Sequence, residues 1–107
     1  GADQYVSSLS CDASGRFVHY SPGAHCGGWR DGTPLVQFDT KTRKRKVICF
    51  LDPVFTERFG FTLKGTYSVA CDPAGERVYT TWNVCRNTKN WDVCGLTAIE
   101  IPAAERE

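Results

Sequence analysis

Apolar and β-branched residues fall into short runs along the chain, four in the first half and three in the second. Short runs rich in Val, Ile, Thr, Tyr and Phe predict strands. The predicted strands are Val6–Cys11, Arg16–Tyr20, Leu35–Thr40, Lys46–Leu51, Tyr67–Cys71, Arg77–Trp82 and Leu96–Ile101. Sustained helical periodicity is lacking, apart from one possible turn at Ala103–Glu107. The pattern therefore predicts an all-β chain.

One motif occurs twice. Residues Ser8–Gly15 (SLSCDASG) correspond to Ser68–Gly75 (SVACDPAG), and each residue of the second copy lies 60 positions after its counterpart. Both copies predict a strand followed by a tight Asp-x-x-Gly turn, because Asp bonds its own backbone and Gly accepts a positive φ. A third element, Pro34–Asp39, corresponds to Gly95–Glu100 at a spacing of 61. Repetition of this kind is typical of arrayed structural units.

The segment Cys71–Tyr79 (CDPAGERVY) resembles the blades of the broad YVTN and WD-repeat-like β-propellers. The resemblance implies an all-β fold with two consecutive four-stranded antiparallel blades, the second completed by another chain or segment. Blade one then covers about residues 5–51, the inter-blade loop 52–66 and blade two about 67–102, all within one partial unit, 1–107. The repeat is longer than a compact blade of roughly 40 to 45 residues, so the excess belongs to loops.

The alternative is a small disulfide-linked β-sandwich that contains two similar hairpins. The matching third strands, each after a long connection, favour the propeller interpretation.

Two blades do not close a ring, and closure is what covers sheet edges in a propeller. We therefore expect a partner, which is either a larger propeller chain in a hetero-oligomer or further copies of this chain. In the first case the chain is the C-terminal part or a small subunit of the ring.

Alternating strand direction places the tight turns on one rim of the blades and three long connections on the other. These connections are Ser21–Pro34, Asp52–Thr66 and Asn83–Gly95, and each exceeds the usual 4 to about 6 residues. Long loops on a rigid scaffold often carry binding sites. The candidate ligand-binding residues on this rim are His25, Trp29, Arg30, Asp31, Arg86, Trp91 and Asp92. Their aromatic rings suit stacking, and their guanidinium groups suit carboxylate or sulfate.

Six cysteines suggest an oxidising compartment, so we expect a secreted or periplasmic protein. Cys85 and Cys94 lie in one irregular connection, and a disulfide between them would constrain it. A metal site built from His25, Cys26, Cys85 and Cys94 is the alternative, but no close pair of ligands supports it. We predict neither a metal nor another cofactor.

Net charge is +1, which argues against nucleic acid, and five of the six residues at 41–46 form a single basic run. The longest apolar run, Val47–Leu51, is far too short for a membrane span. Three functions remain: a structural and recognition part of a propeller with a partner or ligand site on the long-loop rim, a subunit of a propeller enzyme with its active site at the ring mouth, or a lectin-like protomer. Whether the chain is catalytic stays open.

Overall fold

The computed structural model describes residues 4–6, 8–24, 32–85 and 93–107. The chain is mostly β-structure, with a four-stranded antiparallel sheet, a three-stranded sheet and a short two-stranded pair. Its elements are β1 (Gln4–Tyr5), β2 (Leu9–Cys11), β3 (Phe17–Tyr20), β4 (Gly23–Ala24), β5 (Pro34–Asp39), β6 (Lys44–Phe50), α1 (Asp52–Phe59), β7 (Thr62–Cys71), β8 (Arg77–Cys85), β9 (Val93–Glu100) and a 3-10 helix (Ala103–Arg106).

The first sheet has the order β2-β3-β5-β6 and the second has the order β7-β8-β9, so each follows the chain from one edge to the other. The predicted division into four strands and three strands is confirmed. The strand ends differ from the prediction. The first strand was predicted over Val6–Cys11, but β2 covers only Leu9–Cys11. Residues Gln4–Tyr5, which were not predicted as a strand, pair with Gly23–Ala24.

Both Asp-x-x-Gly segments form the predicted tight turns. In each, the glycine amide donates to the aspartate carbonyl, at 3.1 Å for Gly15 and 3.0 Å for Gly75, and both glycines have a positive φ. The Asp72 carboxylate also accepts from the amides of Glu76 and Arg77. The side chain thereby satisfies backbone donors that the turn withdraws from the β-ladder.

The connection between the sheets was predicted as a loop over Asp52–Thr66, and that prediction is wrong. Residues Asp52–Phe59 form α1, which ends at Gly60 in the left-handed conformation, and β7 already begins at Thr62. The helix has eight residues, so it is too short to display a helical period in the sequence. An isolated helix of that length is marginal, and packing against its neighbours has to stabilise it.

Two apolar clusters hold the sheets together. The first joins Leu35 of β5 to Val69, Val78 and Ile101, all buried. The second contains buried Leu51, Leu63, Trp82 and Val84, with Phe55 and Phe61 packed against it. Complete burial of such a side chain contributes about 1.5–3 kcal/mol. The core therefore lies between the sheets and under the helix.

The C-terminal segment fastens the two sheets on the side of the tight turns. Arg106 Nη1 donates to the Ala74 carbonyl at 3.1 Å, and Arg16 Nη2 donates to the Glu107 carbonyl at 3.3 Å. Lys46 forms an ion pair with Glu105. This segment therefore bridges residues that lie far apart in the sequence.

Candidate functional site

The candidate binding residues of the long-loop rim lie outside the described residues. This applies to His25, Trp29, Arg30, Asp31, Arg86, Trp91 and Asp92, and also to Cys26 of the alternative metal site. The binding site that they would form on this rim stays a prediction. Within the described ranges, no three side chains of His, Cys, Asp or Glu gather in a way that could hold a metal ion.

The structure places four cysteine thiols, and all four are free: Cys11, Cys49, Cys71 and Cys94. Cys85 ends β8, but its side chain lies outside the description. The Cys85–Cys94 disulfide therefore stays a prediction, although the exposed Cys94 carries a free thiol here. Burial raises the pKa of Cys49, and burial beside Asp72 and Asp12 raises the pKa of Cys71 to about 11.

The first sheet has one face covered by the second sheet and one more open face, although Val36 on the open face is itself buried. Its covered face, which packs on the second sheet, consists of Ser10, His19, Ser21, Leu35 and Gln37. Its open face carries the alternate residues Leu9, Cys11, Val18, Tyr20, Val36, Phe38 and Val47. Successive residues of a strand point to opposite faces, so every strand contributes to both.

The open face is mainly apolar, with Arg45 among the residues that line it. Two shallow grooves of about 660 and 600 Å³ run along it and share Leu9, Tyr20 and Arg45 in their linings. Leu9 is 62% exposed and Val47 is 45% exposed. A contiguous apolar patch with a polar border is typical of an interaction surface in a soluble protein. This face is therefore the candidate site that the described residues offer.

The covered face carries a buried polar network. His19 Nε2 lies 2.8 Å from Gln37 Oε1, and Gln37 Nε2 donates to the Glu105 carbonyl at 2.6 Å. Because the Gln37 oxygen must accept, His19 donates from Nε2 and its Nδ1 has no hydrogen-bond partner among the described groups. His19 is fully buried, and desolvation lowers its pKa. A neutral imidazole is thus built into the contact between the sheets.

Arg16 and Asp39 fix the border of the first sheet. The guanidinium binds both carboxylate oxygens, at 3.0 and 2.9 Å, and holds the pKa of Asp39 well below its usual range. Asp39 also accepts from the Lys41 amide at 2.9 Å, which orders the basic turn. The carboxylate therefore positions the turn that leads to Arg45 on the open face.

Within the described ranges, hydrogen bonds link the first sheet to the second at three points. The Val69 amide donates to Ser8 Oγ at 3.1 Å, and the Cys71 amide donates to Ser10 Oγ at 2.9 Å. In the tight turns, the Ala13 amide donates to the Pro73 carbonyl at 3.0 Å. Side-chain hydroxyls of one sheet thereby satisfy backbone amides on the edge strand of the next.

The two sheets pair corresponding residues in the same register. In the first sheet, Ser10 is opposite His19 and His19 is opposite Gln37. In the second, Ala70 is opposite Tyr79 and Tyr79 is opposite Ala98, at the spacings of 60 and 61 found in the sequence. All pairs of β2 with β3 and of β3 with β5 have such a counterpart. The sequence correspondence therefore coincides with the hydrogen-bonding pattern.

Opposite faces of the two sheets meet. The second sheet packs on the first through Val69, Val78 and Ile99, whose counterparts Leu9, Val18 and Phe38 belong to the open face of the first sheet. The outer face of the second sheet consists of Ser68, Ala70, Tyr79, Thr81, Leu96 and Ala98, the counterparts of the covered-face side of the first. The contact is thus head-to-tail and not face-to-face.

Sequence reasoning concentrated on the loops and did not identify the open face as a site. The signal was present, because the buried residues Val69 and Val78 of the contact correspond to the apolar residues Leu9 of β2 and Val18 of β3. Which of the two faces is covered depends on how the sheets are oriented, and the apolar pattern alone does not determine that.

Comparisons with protein-family models, curated proteins and solved structures gave no match. Among the described residues, no helix is long and apolar enough to cross a membrane.

Proposed function

We propose that this chain is a two-blade part of a β-propeller that serves as a structural and recognition module. It contributes two sheets to a larger ring. The open face of its first sheet and the outer face of its second sheet each contact a neighbouring blade. The site on the long-loop rim, with Trp29, Arg30 and Trp91 among its residues, would then face the ligand or partner of the assembled ring.

One observation carries the proposal: the two sheets of the chain meet through opposite faces. An interface between unlike faces does not close on itself, so each end of the pair keeps one unmatched face. The first sheet keeps its open face, which contains Leu9, and the second sheet keeps its outer face, which contains Leu96. Both leucines are highly exposed, at 62% and 70%. Further sheets on both sides would bury them, as the existing contact buries Leu35 and Val69.

Two cysteines report on these faces without any substitution. Cys11 lies on the open face of the first sheet, and Cys94 is opposite Asn83 at the outer face of the second; both thiols are exposed. Cys49 and Cys71 are half-buried between the sheets. Alkylation requires an accessible thiolate. Because a Cys85–Cys94 disulfide would block Cys94, the isolated chain and the assembly are both compared after mild reduction. We then expect N-ethylmaleimide to modify Cys11 and Cys94 rapidly in the isolated chain, and Cys49 and Cys71 slowly.

The test is to tag the chain, purify its largest assembly from the cells that produce it, and map alkylation by mass spectrometry beside the isolated chain. Protection of Cys11 and Cys94 in the assembly, with a mass that native mass spectrometry assigns to a defined complex, supports the proposal. Leu9→Lys should prevent incorporation, because it places a charge in the contact. Val54→Lys is the matched control, since Val54 is a 43% exposed apolar residue of α1 on neither face.

The proposal fails if Cys11 and Cys94 react equally in the assembled and isolated states. It also fails if Leu9→Lys and Val54→Lys are incorporated to the same extent.

A further inference from the structure

The contact inside the chain indicates which chemistry the partner of the open face must have. We infer that the open face of the first sheet binds a β-sheet of different sequence, and not a second copy of this chain. The partner sheet presents two hydroxyl side chains, in a Ser/Thr-x-Ser/Thr pattern, beside a tight turn with a free amide. The inference rests on the proposed function, and it specifies the partner.

The open edge of β2 offers the same groups that β7 uses in the existing contact. Val69 and Cys71 direct their amides to Ser8 and Ser10. Leu9 and Cys11 pair with β3 in the same register as Val69 and Cys71 pair with β8. Since N–H groups alternate between the two sides of an antiparallel strand, the Leu9 and Cys11 amides point to the open edge of β2. An edge strand of this kind needs acceptors.

The tight turn provides the third point of attachment. Pro73 accepts from the Ala13 amide through its carbonyl, and Ala13 is the residue of the first turn that corresponds to Pro73. The Ala13 carbonyl is therefore the equivalent acceptor for a partner turn. A matching partner supplies two acceptors and one donor, arranged as in Ser8, Ser10 and Ala13.

The second sheet of this chain does not supply that set. Ser68 corresponds to Ser8 and retains the hydroxyl, but Ala70 corresponds to Ser10 and lacks it. Pro73 corresponds to Ala13 and has no amide hydrogen to donate. A second copy would thus make one of the three links. The buried polar pair His19 and Gln37 is likewise replaced by Tyr79 and Ala98, so the outer face of the second sheet differs in shape and polarity.

The missing groups can be added to the full chain. Ala70 and Pro73 are both exposed, so Ala70→Ser with Pro73→Ala should leave the fold intact. The double variant carries all three linking groups on its second sheet and the adjoining turn. It should therefore associate head-to-tail with the open face of the first sheet of another copy. A net hydrogen bond changes an equilibrium by about fivefold, so the two bonds should lower the dissociation constant about 25-fold.

The experiment is sedimentation velocity over a concentration series, combined with alkylation of Cys11. The wild-type chain should stay monomeric at concentrations where the double variant associates and protects Cys11. Adding Leu9→Lys to the double variant should abolish association. Ala98→Ser is the matched control, because it adds a hydroxyl to the same outer face at a position that supplies none of the three links, and it should behave as wild type. Circular dichroism and thermal unfolding check that each variant is folded.

Two results would overturn the inference. In the first, the wild-type chain associates as strongly as the double variant, and Leu9→Lys prevents this association. That result would identify a second copy as the occupant of the open face and would leave the proposed function intact. A folded double variant that stays monomeric, with Cys11 fully reactive, would refute the linking chemistry. Neither result decides whether Cys11 and Cys94 are protected in the native assembly, so the two proposals fail separately.

Discussion

The two sheets share a register and a turn, but their corresponding residues experience opposite surroundings. Leu35 of the first sheet is completely buried, whereas its counterpart Leu96 in the second is 70% exposed. Gln37 is buried in a polar network, and its counterpart Ala98 is exposed. The same local pattern thus serves two environments, and position in the stack decides which residues become core. The local sequence determines how each sheet forms, and the adjacent sheet determines which of its faces is buried.

The largest test of this contrast replaces the two leucines. Leu35→Ala removes a fully buried side chain between the sheets, so we expect it to lower the free energy of unfolding by about 2–5 kcal/mol. Leu96→Ala removes an exposed side chain, and its effect should stay within about 0.5 kcal/mol. Urea unfolding followed by Trp fluorescence measures both. Equal losses for the two variants would show that the outer face of the second sheet is already covered in solution.

The buried imidazole of His19 should make the free energy of unfolding depend on pH. Desolvation lowers the pKa of His19 below its ordinary value of 6.5, so the unfolded chain binds a proton that the folded chain excludes. As the pH falls below about 6.5, the free energy of unfolding should therefore decrease, by at most about 1.4 kcal/mol per pH unit. Unfolding midpoints measured from pH 8 to 5 test this.

His19→Gln is the control for this slope, because it cannot titrate. A variant that keeps the wild-type slope between pH 6.5 and 5 would exclude His19 as the source of that slope.

Asp39 affects stability in a separate, more acidic pH range. Its pKa is depressed by Arg16, so the stability that it contributes is present above about pH 3.8 and is lost below it.

The smallest effect compares the two turn glycines. Both have a positive φ, near 74°, so Gly15→Ala and Gly75→Ala should each cost about 1 kcal/mol in backbone strain. A Cβ at Gly75 would also lie 3.1 Å from Asp12 Oδ2, whereas a Cβ at Gly15 meets nothing within 4 Å. We expect Gly75→Ala to have the lower melting temperature. A reversed order would mean that the two turns do not pack on each other in solution.

The strands and turns were predictable because they depend on local chemistry. The alternation in Phe17–Tyr20 and the Asp-x-x-Gly turns contain enough information to place hairpins. The helix α1 was missed, because Leu51 at its N-cap makes no side-chain cap hydrogen bond and Pro53 reads as a loop residue. Strand β7 was predicted too short, because register shifts between Leu63 and Ser68 interrupt its alternation.

The candidate site was less predictable than the fold. The apolar character of Leu9 and Val18 is visible in the sequence, but it also suits a residue of the core. Their solvent exposure follows from the orientation of the second sheet, which packs on the other face. That orientation is set by long-range contacts, such as Ser10 with Cys71 and Gln37 with Glu105, and these have no local signature.

The C-terminal segment also has a consequence for the timing of folding. Gln37 receives its carbonyl acceptor from Glu105, 68 positions later, and Arg16 reaches Glu107 across 91 positions. During synthesis, the hairpins of the first sheet emerge long before these acceptors do. Until then, the buried amide of Gln37 must remain hydrated, and closing such long loops is slow. The nascent first sheet is therefore expected to stay loosely packed until residues 105–107 have also been synthesised.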